Sequence, residues 1–392
     1  MPRSLQNQCL GYTFCCSIRI NKVMLESLGM AVLVLMKILP GVWSIEMLDQ
    51  ELITAINAVR KAALFCHKIR NENRIRPLVK FDGSPVTNAD FGSQAIIVNS
   101  LRQAFAIDPI MAEETASMTD FQSSHDFTAE LLQDLAQAHT PFSSIDALVQ
   151  TINRDLVDIQ SSVQVNPSWR NRYWVIDPID GTKGYLKGGQ YAVALALIEK
   201  GDVKVSVVAC PEFRLPGREE TGWILYAQLG KGAFAVPLNA DSEPVKIHVG
   251  ANGPDSSLIL CESLNHSPHG TSGQVANRLA ILDQNIMKMD SQAKYATVAC
   301  GAAHIYLRLP TSSSYREAVW DHAPGFLVIT EAGGKVTDID GQPMIWTDSR
   351  DWEGNHRFAH GRGVIVTNGH IHLDVLNAIQ KVLGKAKGES AP

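Results

Sequence analysis
The sequence predicts an α+β half with antiparallel strands followed by an α/β half, and three observations carry that expectation. β-rich runs at 191–198 and 203–210 flank Glu199-Lys200-Gly201-Asp202, a hairpin signal, and a second pair follows at 222–228 and 232–236. From residue 258 onward short apolar runs alternate with helical stretches, as in an α/β unit. Between residues 173 and 182 an apolar strand ends in two carboxylates and a hydroxyl, where a cleft would be built.

Taken in order, residues 1–46 read as an extension or a targeting leader. Glu26 is the one acidic residue of the first 45, Arg3, Arg19, Lys22 and Lys37 are scattered through them, and 28–36 is an apolar run. That run falls short of the roughly 20 apolar residues a membrane span needs. The body divides into 47–245 and 246–388. Leu52, Ile53, Ile56, Val59, Ala63 and Phe65 recur at helical spacing over 48–70, and 71–76 form a loop. A second helix, 91–105, follows Asp90 as its cap, and polar residues 115–168 hold helices near 128–138 and 144–156 with no candidate ligands. Strands near 258–261, 286–289, 303–309 and 363–367 interleave with helices near 273–284, 292–300, 322–332 and 370–382. Gly333-Gly334 stops the third of these helices.

Composition narrows the function. The chain has 392 residues, 45% hydrophobic content and a net charge of −5, which argues against nonspecific nucleic-acid binding. A polyanionic substrate would have to be drawn in locally, by metal ions, Lys294 and Arg308. The seven cysteines lack C-x-x-C spacing, so they read as reduced thiols in a cytosol-like compartment, with organelle targeting by the leader as the alternative.

The chemistry concentrates in carboxylates. Tyr173 to Ile176 read as a buried strand, and Pro178, with no N–H for the ladder, is expected to end it. Asp177 and Asp180 then share a tight turn, Gly181 lets the chain turn sharply, and Thr182 adds a hydroxyl. Asp90 stands at the head of a helix, Glu113-Glu114 end a short apolar run, and Asp321 precedes a long apolar stretch. Oxygen ligands suit Mg²⁺, and carboxylates crowded together call for divalent cations. A helix N-terminus also suits a phosphate.

Four motifs in this order, S-P-V-T-x-x-D (84–90), E-E (113–114), D-P-I-D-G-T (177–182) and W-D-H-A (320–323), resemble the lithium-sensitive, Mg-dependent phosphomonoesterases of the inositol monophosphatase superfamily. The resemblance runs over about 50–382. D-S-Q-A-K-Y (290–295), I-Y-L-R-L-P (305–310) and 184–195 are similar to its 3′(2′),5′-bisphosphate nucleotidase branch. It implies a layered α-β-α-β-α sandwich with a metal site between the halves. It implies that Glu113, Asp177 and the Ile179 carbonyl hold one Mg²⁺, and that Asp177 bridges to a second ion held with Asp180 and Asp321. Asp90 and Thr182 would orient the attacking water, alone or around a third ion, so two or three ions per site are implied.

The Gly181 and Thr182 amides, Ser291, Lys294 and Arg308 would contact phosphate, with Asp321 beside them and His266 on base or ribose. Glu114 is either a supporting contact or a surface charge. The implied reaction removes the 3′-phosphate of adenosine 3′,5′-bisphosphate (PAP), and of 3′-phosphoadenylyl sulfate (PAPS), which supports sulfate assimilation. An inositol phosphate phosphatase and a low-turnover sensor of the bisphosphate are the alternatives. A nucleotide is the only partner implied; nucleic acid, a stable membrane association and a protein partner are not. Two departures stand out: Phe81-Asp82-Gly83 replaces a lysine-containing stretch, and Pro324 replaces alanine or valine. If Asp321 caps its helix, Pro324 falls in the first turn, where a missing N–H costs little. His322 would then support the helix start, its side chain pointing away from the ion.

Overall fold
A computed structural model of the chain describes residues 50–80, 83–122, 125–153, 172–240, 242–251, 253, 257–264, 269–310, 317–346 and 362–388. The expected leader over 1–46 lies outside them, as do Phe81 and Asp82. Helix α1 (Gln50–Asn71) buries Leu52, Val59, Ala63 and Phe65 along one stripe, while Ile53 turns outward at 45% exposure. A ribbon of β1 (Pro77–Val79) and β2 (Pro85–Thr87) leads into α2 (Asn88–Ala104). Then come β3 (Ile110–Ala112), α3 (Met118–Gln122), α4 (His125–Gln137) and α5 (Ile145–Asn153). Strand β4 (Arg172–Asp180) and the short α6 (Thr182–Leu186) precede β5 (Ala192–Glu199), β6 (Asp202–Arg214), β7 (Thr221–Gln228), β8 (Gly232–Pro237) and β9 (Val245–Lys246). Strands β3 to β9 form one sheet in chain order, antiparallel except for the parallel β3–β4 pair. The β5–β6 hairpin turns through Lys200 (φ 53°) and Gly201 (φ 85°), two left-handed residues whose twist matches the strands.

The last third adds β10 (Leu260–Glu262), α7 (Thr271–Arg278), β11 (Ile286–Lys288), α8 (Ala293–Ala299) and β12 (Ile305–Arg308). It closes with α9 (Ala323–Glu331), β13 (Lys335–Thr337), β14 (Val364–Thr367) and α10 (His372–Gly388). Its sheet runs β11-β10-β12-β14-β13, with β10 parallel to both neighbours and β14 antiparallel to both of its own.

Strand alternation sorts side chains into three cores. Trp174 and Ile176 face α1 and α2, whereas Tyr173 and Val175 face α8 and α9. On β12, Tyr306 joins that second core, and Ile305 and Leu307 meet α7 and α10 in a third. The result is five layers, helices–sheet–helices–sheet–helices, as the resemblance implies. Cys66, Cys210 and Cys261 are buried free thiols, and Cys300 is a half-buried one. No helix among the described residues is long and apolar enough to cross a membrane.

Three expected boundaries shift. Helix α2 starts before Asp90, because Thr87 is the N-cap and Asp90 the third residue of a capping box. His322, not Asp321, is the N-cap of α9, and Pro324 falls in its first turn, where no N–H is missed. Helix α7 stops at Arg278 because Ala280 (φ 54°) turns left-handed, letting the Ile281 amide donate to the Ala276 carbonyl at 2.9 Å.

Candidate active site
Pro178 does not end its strand. Pairing of β4 with β5 passes from Asp177 opposite Ala194 to Asp180 opposite Ala192, so a bulge absorbs the proline and re-aims both aspartates. The Ser93 hydroxyl donates to the Pro178 carbonyl at 2.8 Å and pins the bulge from α2. Gly181 follows at φ 87°, where a side chain would be strained and its Cβ would stand 3.0 Å from that of Ser291. Asp177 is 1% exposed, and among the described residues no amide, hydroxyl or cation donates to either of its carboxylate oxygens, which face the Glu113 carboxyl instead.

Behind this turn lies Asp90, fully buried. The Thr87 amide and hydroxyl donate to its Oδ2 at 2.8 and 2.6 Å. That leaves Oδ1 for Thr182, whose hydroxyl lies 3.3 Å away and 3.1 Å from the Ile179 carbonyl. The capping box that starts α2 thus also orients Asp90.

Glu113 reaches Asp177 from the neighbouring strand, its amide donating to the Ile176 carbonyl at 3.2 Å. Glu114 is no surface charge. It is 2% exposed, its main chain is clamped by the Gln94 side chain, and Lys80 donates to its Oε1 at 2.6 Å. The same Lys80 ammonium stands 3.4 Å from Glu113.

The opposite wall comes from the second sheet. Ser291 (φ 67°) precedes Gln292, whose side chain donates to the Trp320 carbonyl (3.0 Å) and accepts from the Gly325 amide (3.2 Å). The Gln292 amide also faces Asp180, so one residue joins the two aspartate segments. Lys294 is buried, its ammonium 5.2 Å from the centre of the Tyr306 ring. Arg308 Nε donates to Glu317 at 2.9 Å, and its Nη2 is 3.9 Å from Asp321. The His322 ring is buried, bonded to Tyr295 through Nδ1 at 2.7 Å and 3.4 Å from Glu317 through Nε2.

Glu113, Asp177, Ile179, Asp180, Gly181, Thr182, Ser291, Lys294, Arg308 and Asp321 therefore line one cleft of about 340 Å³, with Asp90 behind Thr182. His266 lies outside the described residues. Sequence reasoning missed Lys80, Gln292 and Glu317 as partners of this site, and Lys183, Ser263 and Asp290 as cleft walls.

Burial and mutual repulsion raise the carboxylates together. Burial, then Glu113, Asp180 and Asp321, hold Asp177 well above the carboxylate range. Burial and Glu114 push Glu113 up to about 8, against Lys80. Burial, opposed by the Thr87 hydrogen bonds, brings Asp90 to about 7. Burial and Asp321 bring Asp180 to about 6, against Lys294 and Arg308. Burial lowers Lys294, against the pull of Asp180. Oxygens of Asp177, Asp180 and Asp321 lie within 4.8 Å of one another. A buried carboxylate without a donor is costly, so Asp177 amid three other acids fits a bound cation.

Residues 47–381 match the profile of the inositol monophosphatase family. A 3′(2′),5′-bisphosphate nucleotidase of Schizosaccharomyces pombe is 37% identical over 353 residues, covering 86% of this chain and 97% of that one. One from Emericella nidulans is 35% identical, covering 86% and 99%. Among solved structures, an IMPase of Thermotoga maritima has the same fold at a TM-score of 0.56 and 23% identity, over 86% of this chain and 98% of that one.

Proposed function
Because the chain belongs to the inositol monophosphatase family, we propose that it is a phosphomonoesterase that removes the 3′-phosphate of adenosine 3′,5′-bisphosphate, giving AMP and phosphate. The 3′-phosphate of 3′-phosphoadenylyl sulfate is a second substrate. Glu113, Asp177, the Ile179 carbonyl, Asp180 and Asp321 would hold Mg²⁺, as two or three ions. Magnesium at such a site makes a bound water more acidic and offsets charge on the leaving oxygen.

The protein's own groups do the rest. The Thr182 hydroxyl, backed by Asp90 Oδ1, holds the attacking water on the face of phosphorus away from the sugar oxygen. A threonine hydroxyl is a poor base alone, and the buried carboxylate behind it supplies the proton acceptor. The Gly181 and Thr182 amides meet phosphate oxygens where the chain turns into α6. Lys294 attracts phosphate as a point charge, and Arg308 offers a fork of donors.

The observation that carries this reading is Asp177: two buried oxygens among acids and without a donor, in a cleft whose other wall holds Lys294 and Arg308. The naming of the relatives favours the nucleotide over an inositol phosphate. Phosphate release from adenosine 3′,5′-bisphosphate and from inositol 1-phosphate, with and without Mg²⁺, tests it. The nucleotide should turn over at least about tenfold more efficiently, and only with Mg²⁺. Preference for inositol 1-phosphate would make the protein an inositol phosphate phosphatase, and turnover without divalent ions would remove the metal assignment.

A further inference from the structure
We propose that Asp290 is a specificity residue for the sugar: its carboxylate accepts a hydrogen bond from the ribose hydroxyl that neighbours the scissile phosphate. The inference rests on the function proposed above and extends it from the phosphate to the sugar that carries it.

Asp290 is half-buried and lines the cleft beside Ser263, Ser291 and Lys294, groups suited to an anion. A carboxylate there repels a phosphate, so it adds to binding only where it meets a neutral donor. Its capacity to accept is partly used. Oδ1 takes the Leu264 amide at 3.3 Å, and no second donor among the described residues reaches the group, which leaves Oδ2 for a donor in the cleft.

Position decides which donor that is. Asp290 and Ser291 are consecutive and pack on the turn that would cradle the phosphate. A Cβ on Gly181 would stand 3.0 Å from that of Ser291, and one on Gly184 would stand 3.6 Å from that of Asp290. The left-handed Ser291 (φ 67°), its hydroxyl accepting from the Ala293 amide at 3.2 Å, fixes the bend between Asp290 and α8. Asp290 is thus one residue, about 3.8 Å of chain, from a proposed phosphate contact. At that remove, the first neutral donor a nucleotide offers is the hydroxyl on the adjacent ribose carbon. The adenine amine lies on the far side of the sugar. In a 2′-phosphate the 3′-hydroxyl would take the same place.

Asp290 also faces Lys294. Burial lowers the pKa of that ammonium, and Asp180, Cys261 and Asp290 act against burial. A residue that only kept Lys294 charged, or only tethered Leu264, would serve every phosphate ester alike. The sugar hydroxyl is what separates those roles from a contact with the ribose.

The test compares adenosine 3′,5′-bisphosphate with its 2′-deoxy analogue in the wild type, Asp290→Ala and Asp290→Asn, all with Mg²⁺ and with melting curves alongside. The wild type should favour the ribonucleotide at least about tenfold in kcat/KM. Asp290→Ala should bring that ratio below about threefold, chiefly through loss on the ribonucleotide. Each variant is compared with itself on two substrates, so a smaller active fraction cancels. Asp290→Asn keeps an oxygen for the Leu264 amide and removes the charge. Its ratio should fall between the other two, and it decides the matter if the alanine variant does not fold. A wild type indifferent to the 2′-hydroxyl, or a ratio that neither substitution moves, would overturn the proposal. A wild type that prefers inositol 1-phosphate would overturn the proposed function instead.

Discussion

At the scale of single residues, the roles proposed for Asp177 and Arg308 separate chemistry from recognition. Asp177 is the buried carboxylate, without a donor, that would bridge the metal ions, so Asp177→Asn should abolish turnover while the melting temperature holds. More than about a tenth of wild-type activity at saturating Mg²⁺ would refute the bridging role. Arg308→Ala should cost about 1.5–3 kcal/mol of transition-state binding with adenosine 3′,5′-bisphosphate, roughly ten- to a hundredfold in kcat/KM. A small phosphomonoester should suffer far less. The acids were legible in the sequence because each sits in a short motif that ends a strand or starts a helix. Lys80, Gln292 and Glu317 were not, because their partners lie far along the chain or across a loop. Lys80 meets Glu114, 34 residues on, only once the chain has folded back on itself.

Elements were legible where local chemistry decides them. The Glu199–Asp202 turn announced its hairpin, and Gly333-Gly334 ended α9 through Gly334 N–H to Ile329 carbonyl at 2.9 Å. The early end of α7 was hidden, because an alanine in left-handed conformation leaves no mark in a sequence. The bulge in β4 was hidden too, since proline signals a broken ladder but not how the partner strand accommodates it. A pH effect belongs to this scale. His372 at the head of α10 bonds Thr337 of β13 through Nε2 (3.0 Å) and Thr367 of β14 through Nδ1 (2.9 Å). Burial, then Lys335, lowers its pKa from 6.5 to about 4. The unfolded chain then binds more protons than the folded one in that interval, so the contribution to stability is complete above about 6.5 and lost as pH falls toward 4. The difference in melting temperature between wild type and His372→Gln should shrink across that window; a constant difference would refute it.

For the whole molecule, the decisive arrangement is acids from two sheets meeting in one cleft. Glu113, Asp90 and Asp180 have pKa values raised to about 8, 7 and 6, so the metal-free fold favours their protonated forms. Their raised values give stability that is present at low pH and is lost as pH rises through that range. Mg²⁺ should therefore raise the melting temperature more at pH 8 than at pH 5, with the gain gone in Asp177→Asn. At a hundredfold excess over Kd the gain is about 2.7 kcal/mol. A Mg²⁺ effect equal at both pH values would contradict it. Lithium, close to Mg²⁺ in size with half its charge, should inhibit at millimolar levels without full reversal by Mg²⁺. An active enzyme insensitive to tens of millimolar Li⁺ would contradict that.

The division of the acids between the sheets also sets a schedule for the ribosome. Asp90, Glu113, Asp177 and Asp180 are all translated before the second sheet begins at Leu260. A nascent chain that has completed the seven-stranded sheet holds four repelling acids and none of the opposite wall. Gln292, which will tie Asp180 to the Trp320 carbonyl, emerges next, and Asp321 comes only after it. With the site proposed above, hydrolytic competence should be withheld until late in synthesis, and a polypeptide released before Asp321 should have no phosphatase activity.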